Sequence, residues 1–136
     1  MATLVWGDQY KIGFKQIDDQ HQELVRLIGV LSDAIKTNRS KEVLEKLLGD
    51  LINYTVSHFS TEERLMRTYA YPENSAHTKE HGDLAKTVVD LQKRLKDGKA
   101  TVTLETILFL NDWLSQHILK TDKRLSAFLN AKGIKA

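Results

Sequence analysis

The sequence predicts an all-α protein, an up-down-up-down four-helix bundle with an irregular N-terminal arm. Apolar residues recur at intervals of three and four along almost the whole chain, and no stretch alternates apolar and polar residues as a half-buried strand does. The chain has 136 residues, 41% of them hydrophobic, which suits one domain over residues 1–136. Amphipathic helices joined by short connections cover one another's apolar faces best in a bundle.

The first predicted elements are an arm over residues 1–16 and a helix over residues 18–37. Gly7 and Gly13 interrupt any regular pattern in the arm, and Asp18 is a residue type that caps helix N-termini. The apolar face of this helix carries Ile17, His21, Leu24, Ile28, Leu31 and Ile35.

The second and third helices are predicted over residues 41–69 and 74–96. Ser40 can cap the second helix, which must end before Pro72 because proline disfavours helical backbone at the preceding residue. Gly98 supplies a stop for the third helix. The inner faces carry Leu44, Leu48, Leu51, Thr55, His58, Glu62 and Leu65 on the second helix and His77, His81, Leu84, Val88, Leu91 and Leu95 on the third.

The fourth helix is predicted over residues 103–130. Its inner face carries Ile107, Leu110, Leu114, His117, Leu125 and Phe128. At about 1.5 Å per residue, helices of this length leave room for a site inside the bundle as well as for layers of leucine and isoleucine.

Composition excludes several classes of function. The sequence has no cysteine, which excludes disulfides, zinc ribbons, iron–sulfur clusters and thiolate catalysis. The 20 basic and 18 acidic residues are interspersed and give a net charge of +2, so we expect no nucleic-acid partner. No secretory signal opens the chain, and no apolar run reaches the roughly 18 to 20 residues of a membrane span. We therefore expect a soluble, cytoplasmic protein that is not embedded in a membrane.

All five histidines lie on the predicted inner faces. They are His21 on the first helix, His58 on the second, His77 and His81 on the third, and His117 on the fourth. A single histidine on an apolar helix face is more often a hydrogen-bonded core residue than a metal ligand. Five together are costly to bury, since each lost polar contact costs roughly 1–3 kcal/mol, so a shared partner is needed. A metal would supply it.

Two spacings strengthen the metal hypothesis. His77 and His81 are four residues apart, so both rings project from one side of the helix and can bind one ion. His58 and Glu62 have the same spacing, and a carboxylate is seldom fully buried without a partner. The alternative is that Glu62 is a solvated charge at the edge of the inner face of the second helix.

Asp122 is the weakest member of the set by spacing. It follows His117 by five residues, which is about 140° away around an ideal helix. Its participation requires a favourable tilt, a local π-bulge or a pocket shared between two metal ions. By periodicity alone, Asp122 is equally well interpreted as a surface residue.

The number and type of donor atoms restrict the choice of metal ion. Five imidazole nitrogens and two carboxylates suit iron, manganese, zinc or copper, and seven side chains are too many for one ion. If both carboxylates and a solvent oxygen bridge two ions, a three-and-two division of the histidines leaves one ion an open position. Iron is favoured, because redox-inert zinc would have little reason to be held with a position open for O₂.

The sequence resembles the hemerythrin family, and within it the single-domain bacterial members. The resemblance covers nearly the whole chain. It is carried by residues 6–13, Ile17-Asp18-Asp19-Gln20-His21, His58-Phe59-Ser60-Thr61-Glu62-Glu63, His77-Thr78-Lys79-Glu80-His81 and His117-Ile118-Leu119-Lys120-Thr121-Asp122. Any one of these motifs would be weak evidence, whereas the ordered set is highly specific.

The resemblance implies a di-iron centre and a function. In that arrangement His77, His81 and His117 bind one iron, His21 and His58 bind the other, and Glu62 and Asp122 bridge them together with an oxo or hydroxo group. It also implies reversible O₂ binding for transport, storage or delivery, with O₂ held as hydroperoxide on the two-histidine iron and no enzymatic turnover. We expect a monomer whose partners are O₂ and an oxygen-consuming enzyme that receives it.

Apolar residues near the implied O₂ position have two interpretations. Leu114 and Ile118 lie within a turn of His117, and Phe59 and Trp113 are further candidates. They either exclude water from bound oxygen or only pack the core.

Other functions can be weighed against this one. His77-Thr78-Lys79-Glu80-His81 fits a zinc-protease motif with Glu80 as base, but this leaves the other three histidines unexplained. The same di-iron site could serve a redox enzyme of peroxidase or nitric-oxide type, or an iron or oxygen sensor. A metal-free interaction bundle makes five buried histidines hard to explain. A ferritin-like oxidase would need Glu-x-x-His on two helices, which this sequence lacks.

Overall fold

The computed structural model describes residues 5–99 and 101–134, and every regular element within them is helical. The all-α prediction is therefore confirmed for this part of the chain; residues 1–4 of the predicted arm, residue 100 and residues 135–136 lie outside it. The elements are a 3₁₀ turn at Asp8–Tyr10, α1 at Lys15–Lys36, α2 at Lys41–Thr68, α3 at Asn74–Lys96, α4 at Leu104–Gln116, a π-helical segment at His117–Asp122 and α5 at Lys123–Ala131.

These elements form the four rods of an up-down-up-down bundle. Short connections join α1 to α2 and α2 to α3, and α1 packs against both α2 and α4. The fourth rod is continuous from α4 through the π-helical segment into α5, because the joining residues His117 and Lys123 keep right-handed helical backbone angles.

The start of α1 differs from the prediction. Asp18 does not cap the helix, which begins at Lys15 after Phe14. The Asp18 carboxylate instead accepts hydrogen bonds from the backbone amides of Ile12 and Gly13, at 2.8 and 3.2 Å. Phe14 is only 2% exposed, so burial of the arm determines where α1 begins. The predicted irregular arm thus ends two residues earlier than the sequence pattern indicates.

The other predicted cap is present. Ser40 takes the N-cap position of α2, where its hydroxyl accepts a hydrogen bond from the Val43 amide at 3.3 Å. At the far end of α2, Ala70 adopts a left-handed conformation with φ of 52°, and the Tyr71 amide donates to the Met66 carbonyl at 2.9 Å. This turn closes α2 before Pro72 is reached.

The topology places the helix ends that carry the predicted site residues at one end of the bundle. The start of α1, the end of α2, the start of α3 and the end of α4 meet there, because successive rods run in opposite directions. The arm is tied to the same end, since the Ser126 hydroxyl donates a hydrogen bond to the Ile12 carbonyl. The opposite end is filled by apolar side chains such as Leu31, Leu48 and Leu95. Within the described residues, no helix combines the length and hydropathy that crossing a membrane requires.

Candidate metal centre

The structure brings all seven predicted site residues together inside one end of the bundle. None of them is more than 2% exposed to solvent. They are His21 on α1, His58 and Glu62 on α2, His77 and His81 on α3, and His117 and Asp122 at the two ends of the π-helical segment.

The seven residues form two overlapping groups. The donor atoms within each group all lie within 4.8 Å of one another. The larger group contains Glu62, His77, His81, His117 and Asp122, and the smaller contains His21, His58, Glu62 and Asp122. The two carboxylates belong to both groups and the histidines divide three and two. This is the same division that the family resemblance implies.

The Nε2 atoms of the imidazoles face the shared carboxylates. His21 Nε2 lies 2.9 Å from Asp122 Oδ2, and His81 Nε2 lies 2.9 Å from Glu62 Oε1. His58 Nε2 lies 3.2 Å from Glu62 Oε2. The cluster therefore has the carboxylates at its centre and the imidazoles around them.

Several of these close approaches are not hydrogen bonds. Among the described residues, no hydrogen-bond partner is aligned with His21 Nε2, His58 Nε2, Glu62 Oε2 or either Asp122 oxygen, although all of these atoms are buried. A buried polar atom without a hydrogen bond costs roughly 1–3 kcal/mol. Lone pairs that converge without aligned hydrogen bonds are the arrangement that a bound cation would satisfy.

Three outward-facing nitrogens have hydrogen-bond acceptors behind them. The Nδ1–H groups donate to side-chain oxygens, from His58 to Gln20 at 2.7 Å, from His81 to Glu63 at 3.0 Å and from His117 to Glu80 at 2.6 Å. Carboxylate and amide oxygens only accept hydrogen bonds, so each Nδ1 carries a proton, and in the neutral imidazole the Nε2 lone pair then faces inwards. The imidazoles are held in the tautomer that binds a metal through Nε2.

Sequence reasoning did not identify these outer partners. It considered Glu80 only as a protease base and gave Gln20 and Glu63 no separate role. Each residue is adjacent in sequence to a predicted ligand, but each binds a histidine on a different helix. Periodicity within one helix contains no signal for such a cross-helix pair.

The cluster changes the pKa values of its members. Burial alone would lower the pKa of His21 and of His77, but the carboxylates of Asp122 and Glu62, which lie against both rings, outweigh it and raise both to about 9. Burial opposes ionisation of Glu62 and Asp122 as well, yet the surrounding histidines hold the pKa of each carboxyl below its usual range. Without a metal, these shifts favour protonated His21 and His77 beside ionised Glu62 and Asp122 at neutral pH.

The π-helical segment accounts for Asp122. A π-helix closes hydrogen bonds between residues five apart, so His117 and Asp122 come to the same side of the rod. Their Nε2 and Oδ1 atoms are 3.2 Å apart. Of the explanations that the sequence left open, the structure shows the π-helical turn together with a pocket shared by both groups of histidines.

The protease interpretation does not fit this geometry. Both Glu80 oxygens accept hydrogen bonds from the Thr121 hydroxyl, at 2.9 and 3.0 Å, and Oε1 also accepts the proton of His117 Nδ1. Donation by His117 holds the pKa of the Glu80 carboxyl below its ordinary value. Glu80 is therefore occupied as an anchor for His117 and is not placed as a general base.

Aromatic rings cover the apolar side of the cluster. Phe59 stacks on the His81 ring with centroids 3.8 Å apart, and Trp113 stacks on the His117 ring at 4.4 Å. Both aromatic residues, with Leu114, line a small cavity of about 30 Å³ between the rods. Thr55 supplies the one hydroxyl in the described lining, and this hydroxyl already donates a hydrogen bond to the Leu51 carbonyl at 2.7 Å. Ile118 is fully buried next to His117.

Comparison with known proteins agrees with this geometry. The family described as "Hemerythrin HHE cation binding domain" matches residues 12–129. The chain is 36% identical over 132 residues to a bacteriohemerythrin of Methylococcus capsulatus, covering 96% of this chain and 100% of that protein. It is 32% identical to a myohemerythrin of Theromyzon tessulatum over 86% of each. A crystal structure of wild-type hemerythrin superimposes with a TM-score of 0.89 at 34% identity, covering 93% of this chain and 97% of the other.

The resemblance inferred from the spacing of the histidines is therefore confirmed, over both sequence and structure. The chain belongs to the hemerythrin family.

Proposed function

We propose that this protein binds O₂ reversibly at a non-haem di-iron centre and serves as a carrier or store of oxygen. The observation that carries the proposal is the pair of overlapping donor groups, which share two buried carboxylates and divide five histidines unequally. Membership of the hemerythrin family supports the same function.

The donor set fits two iron ions. We infer that the three histidines His77, His81 and His117 would hold one iron and that His21 and His58 would hold the other. Glu62 and Asp122 would bridge the two. Imidazole and carboxylate donors without sulfur suit iron, and the two-histidine group has one donor fewer. When bound, an iron pair supplies two electrons and an open coordination position for O₂.

The protein's own contribution is to hold the imidazoles and to exclude water. Hydrogen bonds at Nδ1 and the stacked rings of Phe59 and Trp113 restrict the orientation of His58, His81 and His117. The apolar cavity lies next to the cluster and gives O₂ a path that excludes water. Exclusion of water slows the water-assisted release of reduced oxygen.

The cavity also favours a carrier over an oxidising enzyme. Splitting an O–O bond is helped by a positioned acid. The described lining of the cavity offers only the Thr55 hydroxyl, which is committed to Leu51, and the indole N–H of Trp113, which is too weakly acidic for this role. We infer that bound oxygen would leave more readily than it would be cleaved.

The proposal is tested by loading the reduced protein with iron anaerobically, admitting O₂ and then removing it. We expect about two irons per chain, from the seven donors, and a visible absorption that appears with O₂ and fades when O₂ is removed. Binding of a single zinc with no colour would contradict a di-iron carrier. Continuous consumption of peroxide or nitric oxide by the loaded protein would favour the redox enzyme instead.

A pair of matched variants distinguishes loss of the site from a general effect on the fold. Glu62→Ala removes a carboxylate that belongs to both donor groups and should abolish the reversible absorption. Glu42→Ala changes an exposed glutamate in the first turn of the same helix and should leave it unchanged.

A further inference from the structure

The two halves of the candidate site differ in what lies behind their imidazoles. In the three-histidine group, two rings donate Nδ1–H to carboxylates, His117 to Glu80 at 2.6 Å and His81 to Glu63 at 3.0 Å. The Thr121 hydroxyl donates to both oxygens of Glu80, which fixes that carboxylate against His117. Two negative charges therefore stand directly behind this half of the site.

The two-histidine group has no such charge. His58 donates Nδ1–H to the neutral amide oxygen of Gln20 at 2.7 Å. The amide nitrogen of Gln20 donates to the Thr61 hydroxyl at 3.2 Å, and this bond turns the amide oxygen towards His58. His21 Nδ1 has no hydrogen-bond partner among the described residues.

The difference has a direct chemical consequence for a bound metal. An imidazole that donates its outer N–H to a carboxylate becomes a more basic ligand through its other nitrogen. Bonds of this charge-assisted kind are short and strong, as the 2.6 Å contact between His117 and Glu80 is. A more basic ligand stabilises Fe³⁺ relative to Fe²⁺, whereas an amide behind the ring does so much less.

We propose that Glu63 and Glu80 are positioning residues that make the three-histidine iron the first of the pair to be oxidised, and that Gln20 keeps the two-histidine iron ferrous for longer. This inference rests on the proposed di-iron function. Removing one electron from the Fe²⁺Fe²⁺ pair leaves Fe³⁺ beside His77, His81 and His117. Fe²⁺ then remains in the half with one donor fewer. The electron passes to a one-electron oxidant, which is reduced.

The structure allows this to be tested with nearly isosteric substitutions. The side chains of Glu63 and Glu80 are 26% and 39% exposed, so replacing either with glutamine leaves no buried charge unpaired. Glutamine keeps an acceptor oxygen for the histidine and removes only the negative charge. Gln20→Glu is the converse change, since it places a carboxylate behind His58.

The experiment measures the two one-electron reduction potentials of the iron-loaded protein. Ferricyanide, added at one equivalent per iron pair, accepts one electron, becomes ferrocyanide and leaves the half-oxidised pair, which is quantified by electron paramagnetic resonance. In Glu80→Gln and Glu63→Gln we expect the lower potential to rise. In Gln20→Glu we expect the higher potential to fall. Each change reduces the difference between the two reduction potentials. The equilibrium constant for forming the half-oxidised pair should therefore fall about tenfold.

Glu42→Gln is the matched control. It removes one carboxylate from an exposed position 20 residues before Glu62 on α2, about 30 Å along the helix. Both potentials should equal those of the wild type.

The outcomes separate this inference from the proposed function. Failure of the wild type to bind an iron pair would contradict the di-iron function itself. A wild type that holds two irons, with potentials that move in none of the three variants, would overturn the inference alone. A purely structural role would lower iron content without shifting the two potentials in opposite directions, and that result would also overturn it.

Discussion

Single residues determine the chemistry of the candidate site because one side chain can contact several of the other potential metal ligands. His77 is an example. Its Nε2 lies 3.2 Å from Glu62 Oε1 and 3.1 Å from Asp122 Oδ1, so it contacts both shared carboxylates. A residue in this position affects both proposed irons through their bridges.

We therefore expect His77→Ala to lower the iron content from about two per chain and to weaken retention of the remaining metal by at least about tenfold. The variant removes one nitrogen donor from the three-histidine group, so the iron proposed there would be held by fewer ligands. Iron per chain is measured colorimetrically after dialysis against a chelator. Lys79→Ala, at an exposed position on α3, is the control and should retain wild-type iron. Full iron retention in the His77 variant would contradict its role as a ligand.

Leu114 allows the exclusion of water to be tested. It is buried, lies one turn before His117 and lines the apolar cavity. Leu114→Ala should open the approach to the cluster and speed the autoxidation of oxygenated protein, measured as irreversible loss of the visible absorption. It should also lower the free energy of unfolding by about 2–5 kcal/mol.

Leu110→Ala is the matched comparison for Leu114. Leu110 is equally buried and lines the same cavity one turn farther from His117. We expect a similar loss of stability with little change in autoxidation. Equal autoxidation rates in the two variants would show that Leu114 only packs the core.

At the scale of elements, the fourth rod contains one residue more than a regular α-helix would need. The π-helical segment accommodates it and keeps both His117 and Asp122 on the buried side. Leu119 and Lys120, in the middle of the segment, are exposed to solvent. A π-bulge behaves as a single-residue insertion in an α-helix, which is why functional sites often contain one.

This view predicts that deleting Lys120 is tolerated. The deletion would place His117 and Asp122 four residues apart, a spacing that keeps both on one face of a regular α-helix at about 100° per residue. We expect iron content near that of the wild type and an unchanged or raised melting temperature. Deleting Asp112, an exposed residue of α4, should instead rotate the following residues by about 100° and abolish iron binding. Loss of iron in the Lys120 deletion would show that the wide turn itself is required.

At the scale of the whole molecule, we expect folding and the proposed metal binding to be linked through protons. The chain has nearly balanced charge, with 20 basic and 18 acidic residues, so its pH dependence is expected to come from the buried cluster rather than from net charge. In the iron-free protein the pKa values of His21 and His77 are raised from 6.5 to about 9.

The sign of the pH effect follows from these values. A raised pKa means that the folded state binds protons more tightly than the unfolded state does. The stabilisation is complete below pH 6.5 and is lost as the pH rises to about 9. It is on the order of 3 kcal/mol for either histidine alone. We expect the melting temperature of the iron-free protein to fall across this window.

The iron-loaded protein should behave differently, because metal ions would take the place of the protons. Its melting temperature should change much less between pH 6.5 and 9. Uptake of Fe²⁺ should strengthen with pH over the same range. Calorimetry of both forms measures the difference. A melting temperature of the iron-free protein that rises with pH would contradict the protonation of His21 and His77 in the folded state.

The sequence by itself determined the bundle, the family and the members of the candidate site. The reason is that a 3.6-residue period reports which face of a helix each side chain occupies, and all five histidines and Glu62 share the buried faces. Ser40 was also identifiable, since an N-cap depends only on the residues that follow it.

Only the tertiary structure decided the features that depend on how one helix is placed against another. The hydrogen bonds from His58 to Gln20 and from His117 to Glu80 join different helices, and their pairing depends on the offset and rotation between rods. The role of Asp18 depended on where the arm packs, and that of Asp122 on a local π-helical turn. Periodicity along one helix carries no information about these relations, because they arise when the four rods bury their faces together.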